Sequence, residues 1–318
     1  MTTDSSLRVA LVGEGAMGHT HAKVLSSLPG VNLHALIAKD EDAGRRLSQE
    51  WAIPHQTDDY AACLASGDID AVIIASPSGM HVEQGMMAAE AGLPCLIEIP
   101  ASLDLAGTQQ LCEAQSRNGS VMMVAHSRRF SPAHQWLKQR LQAGEFHLYH
   151  LVAQTYFLRR TNLNMFGQPR SWADNLLWHH ACHSVDLFAW LLGSDEFDVW
   201  AQQGPPHPEM GIPMDMTIGM RERSTGQLLS LALSFNNKGP FGGFYRYIGE
   251  EETYHAFRDE LSDSEHQNIP LKGSAFTLQD QEFFDAIRQG RRPESDIHSV
   301  LTTMQLLSRL EKQLNAPR

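Results

Sequence analysis

Short apolar runs and longer helical patterns alternate along residues 1–126. Five of the runs show no alternation of apolar and polar positions, which is typical of strands buried on both faces of a parallel sheet. These runs lie at residues 7–13, 32–38, 71–75, 94–97 and 121–125. Helical patterns accompany them at residues 16–28, 42–51, 58–65, 81–91 and 104–118. The repeated order of strand and helix predicts a doubly wound α/β domain with a parallel sheet over residues 1–126.

The order of elements changes beyond residue 126. Helical patterns and consecutive strand patterns with short Gly or Asn turns predict an α+β domain with a largely antiparallel, open sheet over residues 127–318. The helices are predicted at residues 133–143, 175–192, 278–289 and 296–314. The strands are predicted at residues 147–157, 197–203, 214–221, 227–235 and 244–248. One face of such a sheet needs a cover, and we hypothesise that a second copy of the chain supplies it, in a homodimer or tetramer.

Composition and charge narrow the class of protein. Apolar residues make up 42% and charged residues 19% of 318 residues, as in a soluble globular protein of about two domains. The formal net charge of -12 argues against nucleic acid and anionic membrane as partners. Four widely spaced cysteines and a polar N-terminus without a signal-peptide pattern predict a cytoplasmic protein. The acidic segments 250–252 and 259–265 are interpreted as a solvated loop.

A glycine-rich segment directly follows the first predicted strand and opens the first helix. The first glycine permits a tight turn, the second lets a pyrophosphate approach the backbone, and the third lets the helix pack closely on the strand. Its position after a strand and before a helix favours a dinucleotide-binding (Rossmann) domain over an ordinary glycine turn. The predicted cofactor-binding residues of this segment are Gly13, Gly15, Ala16, Met17 and Gly18.

The end of the second strand predicts which nicotinamide cofactor binds. NAD enzymes usually place an acidic side chain there, whereas NADP enzymes avoid that charge and supply a cation. With Ala38 at the position of the acid, Lys39 is available for the additional phosphate, which favours NADP. A register two residues further along would place Asp40 there and favour NAD. Arg45 and Arg46 could assist, although solvated helix charges explain them equally well.

Three segments resemble the glucose-fructose oxidoreductase, inositol dehydrogenase and MocA (Gfo/Idh/MocA) family: residues 76–81, 98–100 and 126–130. The resemblance implies that Ser76, Pro77, His81, Glu98 and Ile99 lie at the cofactor site. In that family the second segment usually reads Glu-Lys-Pro, and its lysine acts at the nicotinamide. This chain has Ile99 in place of the lysine. The difference argues against an ordinary sugar dehydrogenase of the family.

Longer stretches are similar to one branch of that family, and together they cover nearly the whole chain. Members of the branch act in protocatechuate 4,5-cleavage, a route of aromatic degradation. The resemblance implies oxidation of the cyclic hemiacetal of a carboxylated muconate semialdehyde to 2-pyrone-4,6-dicarboxylate, with NADP as hydride acceptor, and homo-oligomerisation through the open sheet. The stretches are residues 130–145, 154–164, 168–188, 211–217 and 234–249.

Three histidines lie close together on the predicted helix at residues 175–192. His179 and His183 are four residues apart and share one face with Asp186, whereas His180 is turned by roughly 100 degrees. Oxidation of a hemiacetal needs a base, and histidine has a suitable pKa. We predict that His183 or His179 is the base and that His180 assists it or binds a substrate carboxylate. Histidines of a buried core remain an alternative for any one of the three.

The same helix and its surroundings suggest how a carboxylated substrate binds. Planar guanidinium groups suit carboxylates, and the candidates are Arg128 or Arg129, Arg159 or Arg160, and Arg170. Position in the family favours Arg129, Arg160 and Arg170, whereas surface or domain-bridging ion pairs are the alternative for each. Arg246 is a further possibility.

Other classes of function remain open at this point. A sugar or cyclitol dehydrogenase of the same fold is the nearest, and a non-enzymatic NADP-binding sensor is a second. His-x-x-x-His also matches a zinc-ligand spacing, but His180 stands where the zinc-protease motif requires Glu. We therefore predict no metal site and rank a metal-dependent hydrolase last.

Overall fold

The computed structural model describes residues 6–164, 167–170 and 172–316. The chain forms two compact units: Met1–His126 with Phe276–Leu301, and Ser127–Ala275 with Thr302–Arg318. The sequence pattern assigned residues 276–301 to the second domain, whereas their side chains and backbone pack with the first unit. Ile297 N–H donates to Met122 O, for example, at 3.0 Å.

A six-stranded parallel sheet forms the centre of the first unit, in the order β3-β2-β1-β4-β5-β6. This is the doubly wound order predicted from the apolar runs, and its strand order reverses between β1 and β4, where dinucleotides bind in such sheets. The short strand β3 was not predicted. The strands are β1 Leu7–Val12, β2 Val31–Ile37, β3 His55–Thr57, β4 Ala71–Ile74, β5 Cys95–Ile97 and β6 Met122–Val124.

Helices with identifiable ends cover this sheet. Asp40, Asp59 and Asp104 cap three of them, since each side chain accepts a hydrogen bond from a backbone N–H in the first turn. Gly119 ends the helix that Asp104 begins, in the left-handed conformation that glycine adopts readily. The helices are α1 Ala16–Leu25, α2 Glu41–Glu50, α3 Tyr60–Ala65, α4 His81–Glu90 and α5 Leu105–Asn118.

The second unit contains an eight-stranded sheet in the order β14-β13-β12-β11-β7-β10-β9-β8. Its neighbouring strands are antiparallel except for the parallel pair of β7 and β10, so the predicted, largely antiparallel sheet is confirmed. The strands are β7 Leu148–Tyr156, β8 Phe197–Gln203, β9 Asp215–Glu222, β10 Leu228–Ser234, β11 Gly242–Gly249, β12 Thr253–Phe257, β13 Glu260–Ser262 and β14 Asn268–Ile269.

The remaining helices are α6 Pro132–Ala143, α7 Cys182–Leu192, α8 Ala275–Gln289 and α9 Leu301–Leu314. On one face of the second sheet, Leu151, Ala153 and Thr155 are buried. Alternate positions on the other face are more exposed, and the hypothesis that a second copy covers them stays a prediction. Among the described residues no helix combines the length and apolarity needed to cross a membrane.

Two expectations about the C-terminal part were wrong. The segment 259–265 is not all loop, because Glu260–Ser262 pairs with β12 as strand β13. Helix α9 begins at Leu301 rather than at residue 296, because the chain before it pairs with β6 instead. Val124 N–H donates to Ser295 O at 2.8 Å, and the Asp296 side chain accepts from Ser299 N–H at 2.7 Å.

Candidate active site

The glycine loop between β1 and α1 has the shape required for a pyrophosphate. Gly13 has a φ of +111°, and a Cβ there would lie 2.4 Å from the carbonyl oxygen of Ala75. A Cβ at Gly18 would lie 2.0 Å from the carbonyl oxygen of Gly13, so both positions exclude larger residues. Nothing lies within 4 Å of the Cβ position at Gly15, where α1 begins without a side-chain cap. The open space and the uncapped N–H groups fit a bound dinucleotide.

The end of β2 presents backbone donors and a lysine, with no acidic side chain at its last buried position. Ala38 is 3% exposed, and Lys39 is exposed beside it. The Asp40 carboxylate accepts from Ala43 N–H at 3.0 Å, so it caps α2. Instead, Glu14 reaches this place, where its carboxylate accepts from the N–H groups of Asp40 at 3.0 Å and Lys39 at 3.4 Å. Glu14 therefore occupies these two N–H groups, and Lys39 is the basic side chain at the end of β2.

His81 and Ser76 organise the loops that follow β4 and β5. The buried His81 ring lies between two backbone carbonyls, with Nδ1 at 2.8 Å from Pro100 O and Nε2 at 2.9 Å from Ser76 O. Burial lowers the pKa of His81 despite these carbonyls, so the ring is neutral near pH 7 and donates to one of them. The Ser76 hydroxyl donates to Gln84 Oε1 at 2.5 Å. We infer that His81 positions the two loops rather than contacting a ligand itself.

Glu98, directly after β5, belongs to a buried charged triad. Its Oε1 lies 3.0 Å from His21 Nε2, and His21 Nδ1 lies 2.8 Å from Asp280 Oδ2. The second oxygen of Glu98 accepts from Ile99 N–H at 3.0 Å. Burial alone would lower the pKa of His21, but the Asp280 and Glu98 carboxylates outweigh it and raise the pKa to about 10. A protonated His21 therefore holds Glu98 in place at the carboxyl end of the sheet.

The helix that carries the three histidines begins with a wide turn. Residues Leu176–Ala181 are π-helical, and α7 continues from Cys182. The Asn175 side chain accepts from Leu177 N–H at 2.8 Å and from Trp178 N–H at 3.2 Å, which caps this start. π-Helical turns inside helices are rare and are often found at functional sites. The turn sets the directions in which the histidines point.

His179 and His180 have different surroundings. His179 Nδ1 accepts from Asn175 N–H at 3.0 Å, so the neutral ring carries its proton on Nε2. His180 packs edge-on against Phe235, with ring centroids 5.0 Å apart, and its Nε2 lies 3.8 Å from Asp174 Oδ2. Burial and the charge of Arg170 lower the pKa of His180 to about 4. His180 is therefore neutral at pH 7, and partly exposed His183 follows in the first turn of α7.

Two arginines share one buried aspartate just beyond β7. Arg159 pairs with Asp174, and Arg170 Nη1 donates to Asp174 Oδ1 at 3.2 Å. Two guanidinium groups and one carboxylate leave one positive charge uncompensated, because His180 beside them is neutral. The Arg170 group also lies over the ring of Trp172, at 4.7 Å, and that ring stacks on His179 at 5.3 Å. The arginine cluster and the histidine helix are therefore connected through one aromatic ring.

Arg170 has the edge of its guanidinium group available. Its Nε and Nη2 atoms are buried and have no hydrogen-bond acceptor in residues 6–164, 167–170 and 172–316. These two N–H groups point side by side and match the two oxygens of a carboxylate. A buried donor without an acceptor costs about 1–3 kcal/mol. The arrangement can bind a carboxylate of a ligand.

The other predicted arginines are engaged differently. Arg129 donates from Nε and Nη2 to the two oxygens of Asp186, at 2.8 and 2.6 Å, so its carboxylate-binding edge is already used. Asp186 also accepts from the Thr303 hydroxyl at 2.9 Å, and the network anchors α7. Arg160 is exposed, and its Nη1 donates to the carbonyls of Arg159 and Phe235. Arg159, rather than Arg160, lies in the cluster with Arg170.

Asp174, His21 and Asp280 were not predicted, and Arg160 was favoured over the other candidate, Arg159. Two signals in the sequence favour Arg159 and Asp174. The buried positions 151, 153 and 155 repeat every second residue, and the same parity selects Arg159 over Arg160. Asp174 is the first acidic residue after Arg170 along the chain, which makes it the nearest ion-pair partner in sequence. His21 and Asp280 are 259 residues apart, and nothing local links them.

Two family models match the chain. The model described as "Oxidoreductase family, NAD-binding Rossmann fold" matches residues 7–126, and "Bacterial oxidoreductases, C-terminal" matches residues 132–275. The 4-carboxy-2-hydroxymuconate-6-semialdehyde dehydrogenase of Sphingobium sp. (strain NBRC 103272 / SYK-6) is 40% identical over 313 residues, which cover 97% of this chain and 99% of that protein. The inositol 2-dehydrogenase 2 of Paenarthrobacter aurescens (strain TC1) is 26% identical over 309 residues. The match covers 90% of this chain and 89% of that protein.

A solved structure agrees with the fold. It is that of an oxidoreductase from Agrobacterium radiobacter in complex with NAD+, L-tartaric acid and magnesium, which superposes with a TM-score of 0.83. The match covers 99% of this chain and 98% of the other at 17% identity, so it supports the fold and not a function. The two family models and the near full-length relationship to the Sphingobium dehydrogenase show that this chain belongs to the Gfo/Idh/MocA family of nicotinamide-dependent oxidoreductases.

Proposed function

We propose that this protein oxidises the cyclic hemiacetal form of 4-carboxy-2-hydroxymuconate-6-semialdehyde to 2-pyrone-4,6-dicarboxylate, with NADP as the hydride acceptor. The observation that carries the proposal is the 40% identity to a dehydrogenase of that name over 97% of the chain. The uncompensated charge at Arg159 and Arg170 supports it independently, because the substrate is a dicarboxylate. Ile99, which replaces the usual lysine, supports a proton acceptor other than lysine.

The reaction removes one hydride and one proton from the hemiacetal carbon and its hydroxyl group. A bound nicotinamide supplies the hydride acceptor, and the carbon becomes the carbonyl of the pyrone. His183 takes the hydroxyl proton in this proposal. His179 uses its Nδ1 to accept from Asn175, and the pKa of His180 is only about 4, so neither is as suitable a base near pH 7.

Arg159 and Arg170 bind one substrate carboxylate. The Nε and Nη2 edge of Arg170 takes its two oxygens, and Asp174 holds both guanidinium groups in position. Trp172, between Arg170 and His179, fixes the direction of the arginine through the stacked ring. These residues orient the hemiacetal hydroxyl, which is what an enzyme must do before the proton can be removed.

We expect Arg170→Gln to raise the KM for the semialdehyde by about 10- to 100-fold, as loss of a charge-assisted hydrogen bond predicts. The change removes a positive charge but keeps a polar side chain over Trp172. The measurement is the absorbance of reduced nicotinamide, with freshly prepared 4,5-cleavage product of protocatechuate as substrate. Arg223→Gln, at an exposed pair with Asp198, is the matched control and should leave KM unchanged.

The same assay tests the proposed function itself. Wild-type protein should reduce NADP with the semialdehyde and should not do so with a panel of neutral sugars and cyclitols. Rapid turnover of a neutral sugar or cyclitol, with no turnover of the semialdehyde, would contradict the proposal. An unchanged KM in the Arg170→Gln variant would contradict only the role of the arginine.

We expect Lys39→Gln to raise the KM for NADP by about 10- to 100-fold and to leave the KM for NAD nearly unchanged, because only NADP carries the additional phosphate. Steady-state rates with each cofactor measure both values. An equal effect on the two cofactors would show that Lys39 does not contact that phosphate.

Glu14→Gln is the counterpart of Lys39→Gln at the end of β2. Its carboxylate accepts from the Lys39 and Asp40 N–H groups, where it would repel a phosphate. The amide keeps a hydrogen-bond acceptor without the charge, so the KM for NADP should fall by a few-fold while the KM for NAD changes little. A rise in the KM for NADP would contradict a phosphate site at the end of β2.

A further inference from the structure

A second polar cluster lies on the helix-covered face of the sheet in the second unit. The Tyr247 hydroxyl lies 2.7 Å from His134 Nδ1, and the His134 ring meets the ring of Tyr245 edge-on at 4.9 Å. The Arg128 guanidinium lies over the Tyr245 ring, 5.8 Å from its centroid. His134 is 0% exposed and Tyr245 is 3% exposed, so the cluster lies in the interior of the unit.

Three polar atoms of this cluster lack partners. Arg128 Nε, His134 Nε2 and the Tyr245 hydroxyl are buried and make no hydrogen bond within the described part of the chain. Arg128 Nε can only donate, and the tyrosine hydroxyl can donate. Buried polar groups in folded proteins are almost always hydrogen-bonded, so three exceptions in one cluster indicate an occupant that accepts hydrogen bonds.

The charge of the cluster selects the kind of occupant. Arg128 has no carboxylate within ion-pair distance among the described residues, in contrast to Arg129 beside it, which pairs with Asp186. Burial and the charge of Arg128 lower the pKa of His134 to about 3, so the ring is neutral and the cluster carries one positive charge. A water molecule would satisfy the donors but not the charge, whereas a carboxylate satisfies both.

The position of Tyr245 relates this cluster to the arginine cluster around Asp174. A Cβ at Gly243 would lie 2.9 Å from the Tyr245 hydroxyl, so that hydroxyl points along β11 towards Gly243. Gly243 on β11 pairs with Thr155 on β7. Phe157 follows Thr155 by two residues, about 7 Å further in the same direction. Phe157 packs against His180, whose neighbour is Asp174. The two positive clusters therefore lie on the same face of the sheet, linked through β11, the end of β7 and Phe157.

We propose that Arg128, Tyr245 and His134 form a second carboxylate subsite, which binds the other carboxylate of the dicarboxylate substrate. The inference rests on the proposed function and adds that each carboxylate has its own arginine. Arg128 and the Tyr245 hydroxyl donate to one carboxylate, while Arg170 and Arg159 donate to the other. Two separate subsites select a dicarboxylate over a monocarboxylate and over a neutral sugar.

The test is binding of three acids to the NADP-loaded protein by calorimetry: 2-pyrone-4,6-dicarboxylate, 2-pyrone-4-carboxylate and 2-pyrone-6-carboxylate. Arg128→Gln should lower the affinity of the protein for the diacid and for one monoacid by about 10- to 100-fold. Its affinity for the other monoacid should stay unchanged. Arg170→Gln should instead lower the affinity for the other monoacid, together with the affinity for the diacid. Tyr245→Phe removes only a hydroxyl and should lower the affinity for the same monoacid as Arg128→Gln does, by a few-fold. This variant keeps the test valid if Arg128→Gln does not fold.

Three results would overturn the inference. Unchanged affinity of Arg128→Gln and Tyr245→Phe for all three acids would mean that water or a free anion satisfies the cluster. If both arginine variants lost affinity for the same monoacid, the two arginines would form one subsite. Failure of the wild-type protein to bind any of the acids would contradict the proposed function as well, and so is distinguishable from the first two results.

Discussion

His183→Ala should lower kcat for the semialdehyde by about 10²- to 10⁴-fold, the usual contribution of a general base. The affinity for NADP should stay unchanged, because the glycine loop and the end of β2 belong to the other unit. Stopped-flow absorbance of reduced nicotinamide measures the rate, and fluorescence titration measures the cofactor affinity. Added imidazole should restore part of the rate in the variant, since it can enter the space left by the side chain.

His179→Ala and His180→Ala distinguish the base from its neighbours. Loss of the Asn175 contact at His179 should disturb the π-helical turn and lower kcat by a smaller factor, without rescue by imidazole. Substitution of His180 should mainly raise KM, because that ring contacts the arginine cluster. If His179→Ala lost more activity than His183→Ala and imidazole rescued it, His179 would be the base.

The sequence predicted the first unit well because its apolar runs are the physical cause of its fold. Strands buried on both faces must be apolar throughout, so β1, β4 and β5 are recognisable without knowledge of their neighbours. The strands β12 to β14 were missed for the opposite reason. They are short and polar, and they are held by backbone pairing at the end of the sheet, which leaves little trace in the side-chain pattern.

The site was predictable only in part. The glycine loop and the histidine helix follow from local spacing, and both are where the sequence places them. The partners of charged side chains do not follow from spacing, because they depend on packing between distant elements. Arg129 illustrates this, since Asp186 occupies the edge that a substrate carboxylate would need. A π-helical turn also leaves no sequence signal, because it differs from an α-helical turn only in which carbonyl each N–H reaches.

His21→Gln should destabilise the first unit by about 3–5 kcal/mol at neutral pH, the usual cost of removing one partner from a buried ion pair. The change leaves Asp280, which is 0% exposed, and Glu98, which is 7% exposed, without their shared cation. Hydrogen exchange of the β1 and β4 amides measures the stability of this unit separately. His55→Gln, at an exposed position on β3, is the control and should change stability by no more than about 0.5 kcal/mol.

The stability of the first unit should also depend on pH in a direction set by His21. Its pKa is about 10 in the folded protein and 6.5 in an unfolded chain, so the folded state binds more protons between these values. The stabilisation is complete below pH 6.5 and is lost as the pH rises towards 10. His21→Gln should lack this decline, whereas Asp280→Asn removes the stronger partner and should shift the decline to lower pH. An identical pH dependence in wild type and His21→Gln would mean that His21 is neutral and that Glu98 is held in place without its charge.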